Sequence, residues 1–163
     1  MDLNIREATD ADFDAIWPIF KSIVSQGDTY AYDPETDRAQ AYELWMKKPL
    51  RTYVAEHNGR IVGTYYIKPN QPALGAHVCN CGYMVSEEAR GQGIATAMCL
   101  HSQEEARRLG FRAMQFNLVV ATNEGAVRLW QKLGFEIVGR LPKAFRHAHL
   151  GFVDAYVMYK WLG

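Results

Sequence analysis

The 163-residue chain has no net charge, its 18 lysines and arginines balancing 18 aspartates and glutamates. Global electrostatics therefore give no bias toward nucleic acid or an anionic membrane, and a small, discrete ligand fits better. No apolar run approaches the roughly 18 residues of a membrane span. The opening Met1-Asp2-Leu3-Asn4 does not lead a basic stretch into an apolar one, as a secretory signal would. The expectation is a cytoplasmic protein with neither membrane nor nucleic-acid partner. Cysteine is scarce: Cys79, Cys81 and Cys99 are odd in number and fit buried, reduced thiols. Cys79 and Cys81 fall on one strand face, but no second Cys or His pair is spaced to complete a zinc site, so no metal is expected. Also missing are the third glycine of a dinucleotide fingerprint and the Gly-Lys-Ser/Thr of a P-loop.

What is present is 48% hydrophobic residues, enough for one well-buried core in a chain too short for two ordinary domains. Residues 1–163 read as a single domain. Strand-like and helix-like segments alternate without repeat or linker, which predicts a mixed α/β fold. Residues 3–7 read as a strand. Thr9 to Asp12 resembles a capping box opening a helix that carries Phe13, Ile16, Trp17, Phe20, Ile23 and Val24 on one face, with Pro18 expected to kink it. A polar loop, 26–35, precedes a helix over 36–47. Strands at 52–56 and 60–67 are joined by His57-Asn58-Gly59, a hairpin signal, and should pair antiparallel.

A strand at 77–85 then leads through a glycine turn into a helix at 93–109 ending at Gly110. A strand at 113–120 leads into a helix that bears Ala126, Leu129, Trp130 and Leu133 and ends at Gly134. Strands at 136–140 and 153–161 flank a loop with Pro142, Phe145, Arg146, His147 and His149. The apolar character of 156–161 suits either a homodimer contact or core.

Chemistry concentrates in Arg90-Gly91-Gln92-Gly93-Ile94-Ala95. Glycines without a β-carbon let the backbone approach a ligand, and consecutive N–H groups at a helix start form an anion site suited to a pyrophosphate. Arg90 adds a fixed positive charge. By itself a Gly-x-Gly before a helix is equally a tight turn.

Residues 85–95 resemble the acetyl-CoA motif of the Gcn5-related N-acetyltransferase (GNAT) family, Arg/Gln-x-x-Gly-x-Gly/Ala, and match every defined position. Asn123-Glu124-Gly125-Ala126-Val127-Arg128-Leu129-Trp130-Gln131-Lys132-Leu133-Gly134-Phe135 is similar to the family's Asn-x-x-Ala-x-x-Leu-Tyr-x-x-x-Gly-Phe segment. The resemblance implies a GNAT fold, a central mixed, mostly antiparallel sheet flanked by helices, and an N-acetyltransferase with acetyl-CoA as co-substrate. It implies that the backbone of Met84 and Val85 meets the pantetheine arm, one of their N–H groups polarising the thioester carbonyl. The amides of Gly91, Gln92, Gly93, Ile94, Ala95 and Thr96 would hold the pyrophosphate. Asn123 would touch the pantetheine, cap its helix, or both.

Two departures from the family matter. Trp130 stands where a Tyr often serves as general acid, and an indole N–H does not titrate usefully, so Trp130 packs on the cofactor or in the core. The 77–85 strand lacks the carboxylate many relatives use as base. Asn80 and, on the next strand, Asn117 stand inside apolar runs instead. Either they bond neighbouring backbone or they hold the reacting amine or a water as catalytic groups. Tyr30 and Tyr32, in the loop that borders the family's acceptor pocket, are candidate substrate contacts. A narrower resemblance, through Phe116-Asn117-Leu118-Val119-Val120 and Pro142-Lys143-Ala144-Phe145, is to fungal acetyltransferases for proline analogues. It implies a small amino- or imino-acid acceptor attacked directly in a ternary complex. A protein N-terminal or lysine acetyltransferase and a non-catalytic acetyl-CoA-binding module are the alternatives.

Overall fold

Asn58 and Gly59, at φ 50° and 73°, form the tight turn that the Asn-Gly pair predicts, and residues on either side pair antiparallel. They belong to a chain of elements running β1 (Asn4–Glu7), α1 (Phe13–Val24), α2 (Arg38–Tyr42), β2 (Arg51–His57), β3 (Arg60–Pro69), β4 (Val78–Val85), α3 (Ile94–Arg108), β5 (Ala113–Val120), α4 (Glu124–Lys132), β6 (Glu136–His147) and β7 (Gly151–Trp161). The computed structural model describes residues 2–163. All strands lie in one sheet, ordered β1-β2-β3-β4-β5-β7-β6. Every pairing is antiparallel except β4 with β5.

Alternation along the strands sorts the core onto the two sheet faces. Tyr53, Ala55, Tyr65, Ile67, Cys79 and Cys81 pack with Ile94, Met98 and Cys99 of α3 and Trp130 of α4. Val54, Tyr66 and Met84, one residue out of phase, pack with Phe13, Ile16 and Phe20 of α1 and with Trp45. Both later helices end as the glycines predict. The N–H groups of Phe111 and Phe135 reach back to the carbonyls of Ala106 (2.9 Å) and Trp130 (3.0 Å), with Gly110 and Gly134 at φ 93° and 100°.

Several boundaries differ from expectation. Asp12 accepts from the Thr9 N–H (2.7 Å) as a capping box should, yet 10–12 is one tight turn before α1 begins, and the helix continues through Pro18. The second helix starts at Arg38 rather than 36, because Asp37 accepts from the Gln40 N–H (2.8 Å) and caps it there. It then widens, with the Lys48 N–H donating to Glu43 five residues back (2.9 Å). The expected loop after residue 140 is instead strand: β6 and β7 form a long hairpin that accommodates Pro142 in an irregularity between Leu141 and Phe145. β7 is also interior to the sheet, with Ala155 and Met158 fully buried and Phe152 and Trp161 exposed. None of the described helices is long and apolar enough to cross a membrane.

Titratable groups around the core set a pH dependence. Hydrogen bonds from Arg6 hold the Asp12 carboxyl at about 2, and Arg108 holds that of Glu105 at about 2. Burial against Tyr53 and Tyr65 pushes the His101 imidazole below its ordinary 6.5. All three shifts are depressions, so their stabilisation is present at neutral pH and lost on acidification. The melting temperature should begin to fall below the unfolded value of 6.5 as His101 resists protonation, and fall further below 4.5 as Glu105 and then Asp12 are titrated. A melting temperature unchanged between pH 6.5 and 4.5 would remove His101 from this account.

Candidate active site

β4 and β5 pair only at Val78 with Ala113 and Cys79 with Met114, then diverge. Asn80 stands where the pairing stops. Its Nδ2 donates to the Gln115 carbonyl (3.0 Å), replacing the strand partner that backbone has just lost, and its Oδ1 accepts from the Tyr66 hydroxyl (2.9 Å). The side chain thus wedges the fork open while leaving no core polar group unpaired.

The fork exposes one edge of β4. On its other edge the Ser86 N–H donates to Val62 and the Val78 carbonyl accepts from Asn70, each at 2.8 Å, whereas the His77 carbonyl accepts from Arg112 beside β5. Even-numbered residues therefore turn their backbone toward β3, and odd-numbered Cys81, Tyr83 and Val85 turn theirs into the fork. The carbonyl of Tyr83 is already taken by the Tyr30 hydroxyl at 2.7 Å. Met84 points its backbone toward β3 and buries its side chain against α1. Met84 and Val85, the pair expected to meet the pantetheine, both line the cavity that fills the fork, and by alternation Val85 and Tyr83 turn their backbone into it.

A cavity of about 620 Å³ fills the fork and is lined from both sheet faces. On the α1 side lie Ile23, Thr29, Tyr30, Tyr32, Tyr66 and Lys68, with Asn80 and Asn117. On the α3 side lie Arg90, Ala95, Asn123, Leu129 and Trp130. Burial raises the hydroxyl pKa of Tyr30, Tyr32 and Tyr66, so all three are neutral hydrogen-bonding groups at physiological pH. Burial likewise holds the Cys81 thiol, which faces α3 across the sheet from these tyrosines, well above its ordinary value, with Cys79 adding to the shift. A thiol held protonated is a poor nucleophile.

An adjoining recess of about 250 Å³ is lined by Arg90, Gly91, Gly93, Ile94, Ala95 and Thr96. Gly91 and Gly93 sit at φ 77° and 80°, and a β-carbon on either would meet no protein atom within 4 Å. No side chain caps α3, so the first N–H groups of the helix are left for another acceptor. Two glycines in the left-handed region bordering open space, an uncapped helix start and Arg90 together make an anion cradle.

The chain matches the acetyltransferase (GNAT) family over residues 13–135. It belongs to that family. It is 33% identical over 151 residues to the N-acetyltransferase aca1 of Schizosaccharomyces pombe, spanning 82% of this chain and 72% of the relative. It is 28% identical over 159 residues to the L-amino acid N-acetyltransferase AaaT of Escherichia coli, spanning 96% of each. Among solved structures, a GCN5-related N-acetyltransferase from Kribbella flavida superposes with a TM-score of 0.91 at 48% identity, covering 98% of this chain and 97% of the other. The enzyme is an acetyl-CoA-dependent N-acetyltransferase of the GNAT type, with the mixed sheet and flanking helices that the family resemblance implied.

The residues present fit acetyl-CoA: the cradle suits a pyrophosphate, and the free edge of β4 suits an amide-bearing arm that adds like a strand. Other expected residues are distributed unevenly in this acetyltransferase. The Asn123 side chain makes no hydrogen bond to the first turn of α4 and faces the cavity, so capping does not occupy it. Trp130 is buried, its ring 5.1 Å from those of Tyr83 and Phe116, and also forms cavity wall. Ile94 buries its side chain in the core, leaving it only backbone to offer, whereas Gln92 is exposed. Asn117 is exposed: alternation places it on the face of Gln115, opposite the buried Met114 and Phe116, where it donates to Asn70 (2.7 Å) and accepts from Gln115 (2.9 Å).

Sequence reasoning missed Tyr66 and Lys68, although strand alternation places both on the face of their register partners Gly82 and Asn80. Gly82 makes room for Tyr66, since a β-carbon there would lie 2.6 Å from the phenol ring. Gly82→Ala should therefore destabilise by about 1–3 kcal/mol through overpacking and lower turnover by displacing Tyr66 from Asn80. Unchanged melting and full turnover would contradict this placement.

Proposed function

We propose that the enzyme acetylates the amine of a small amino or imino acid by direct attack in a ternary complex. The observation that carries this reading is the fork itself, a cavity lined from both sides of the sheet and bordered by the free edge of β4. The α1 wall holds the acceptor and the α3 wall holds acetyl-CoA, which supplies an acetyl group activated as a thioester. Backbone N–H groups of Val85 or Tyr83, already in place, stabilise negative charge that develops on the carbonyl oxygen. The amides of residues 91–96 and Arg90 hold the phosphates, and Asn123 holds the pantetheine.

No carboxylate lines the cavity among the described residues, so the acceptor loses its proton to solvent, which an α-amino group with pKa near 8 does in part at neutral pH. No titratable side chain stands at position 130 to protonate the leaving sulfur. The protonated Cys81 thiol argues for direct attack over an acyl-enzyme. A small acceptor is in keeping with Tyr30, which lines the α1 side and ties the loop before α2 onto β4. Likeness to aca1 and AaaT is in keeping with an amino-acid acceptor and the fungal subgroup. Free thiols at all three cysteines suit the cytoplasm.

The test is release of coenzyme A from acetyl-CoA by the purified protein with amino acids, imino acids, polyamines and short peptides. Turnover confined to amino or imino acids is expected. Turnover with peptides alone would move the assignment to protein acetylation, and binding without any turnover would leave a sensor module.

A further inference from the structure

We propose that Lys68 docks a carboxylate of the acceptor, so that the enzyme takes amino or imino acids with a free carboxylate in preference to their amides, to polyamines and to basic peptides. This rests on the fork being the acetyl-transfer site. Lys68 and Arg90 are the only charged groups among the described residues lining the main cavity, and both are cationic. They belong to opposite walls. Arg90 neighbours the glycine cradle and serves the phosphates, whereas Lys68 follows Tyr66 on β3, in register with Asn80, on the α1 face.

Lys68 has no structural task that uses its charge. Among the described residues no carboxylate lies within ion-pair distance of it, and its ammonium makes no hydrogen bond. It sits 5.4 Å over the Tyr66 ring, the same ring whose hydroxyl is fixed on Asn80. A half-buried lysine, its ammonium over an aromatic face and beside a cavity, lacks only an anion. Asn117, bridged to Asn70 across the diverging strands, adds amide groups on this side of the cavity.

The same charge pattern bears on reactivity. A cavity whose only charges among the described residues are the two cations Lys68 and Arg90 disfavours the ammonium form of an approaching amine and so lowers its pKa, which helps a site without a carboxylate base. It repels acceptors carrying additional positive charge, while a carboxylate anchored on Lys68 offsets that repulsion for an amino acid.

The experiment is steady-state kinetics with each amino or imino acid paired with its primary amide, using wild type, Lys68→Met and Lys68→Arg. Wild type should favour the acid over the amide by about tenfold or more in kcat/KM, the size expected of a charge-assisted contact. Lys68→Met should raise KM for the acid by about 10–100-fold and erase that preference, with KM for acetyl-CoA and the melting temperature unchanged; Lys68→Arg should restore most of it. Equal use of acid and amide by wild type, or an unchanged KM in Lys68→Met with turnover intact, overturns the role of Lys68 alone. Turnover of other amines but of no amino or imino acid overturns the acceptor reading and Lys68 with it.

Discussion

Asn80→Ala should both destabilise the protein and strip it of most activity, whereas Asn117→Ala should do little to stability. Removing the Asn80 amide leaves the Gln115 carbonyl and the Tyr66 hydroxyl without their partners at a buried site, and each such orphaned group costs about 1–3 kcal/mol. The same loss lets β4 and β5 close or shift, and a displacement of about 1 Å in a reacting site lowers rates by about a hundredfold. Asn117 is exposed and bonded to two half-buried amides that solvent can reach in its place, so its truncation should change stability by no more than about 0.5 kcal/mol. Chemical denaturation and turnover of both variants separate the roles. An Asn80→Ala protein that melts like wild type yet is inactive would make Asn80 a group in direct contact with the reacting amine, not the wedge that positions the strands.

The second large effect is expected at the glycine cradle. In Gly93→Val a branched residue must adopt the left-handed φ of 80° at the start of α3, at a cost of at least about 1–2 kcal/mol. No protein atom crowds the new side chain, so the remaining damage falls on whatever approaches the cradle. Acetyl-CoA affinity, measured by calorimetry, should fall by about a hundredfold or more, the scale of losing charge-assisted contacts. Gln92→Ala, which alters only an exposed side chain, should leave it unchanged. Equal affinity in wild type and Gly93→Val would place the phosphates elsewhere.

These residues were legible to different degrees for physical reasons. The glycine turns, the Asn-Gly hairpin and the helix stops rest on local backbone chemistry, and local chemistry is written in consecutive residues. Asn80 was recognised as anomalous, but its purpose depends on Gln115 and Tyr66, 35 and 14 residues away, and no spacing rule reports that. Asn117 stands in the same kind of apolar run, yet it is exposed and its partner Asn70 lies 47 residues away, which the run of neighbours does not report. β6 was cut short because it is an edge strand exposed on most positions, so the alternation that marks half-buried strands is absent. Lys68 escapes the sequence reading because the expected strand, 60–67, ends two residues short of the observed one, and a lysine at a strand end looks like solvent surface.

The most direct test of the fork as the acetyl-CoA site is a backbone-amide NMR titration with acetyl-CoA. The largest shifts should fall on Tyr83 and Val85 at the free edge of β4 and on residues 91–96 at the start of α3, with the β1–β2 end of the sheet unmoved. Saturating shifts elsewhere, with those amides unperturbed, would contradict it.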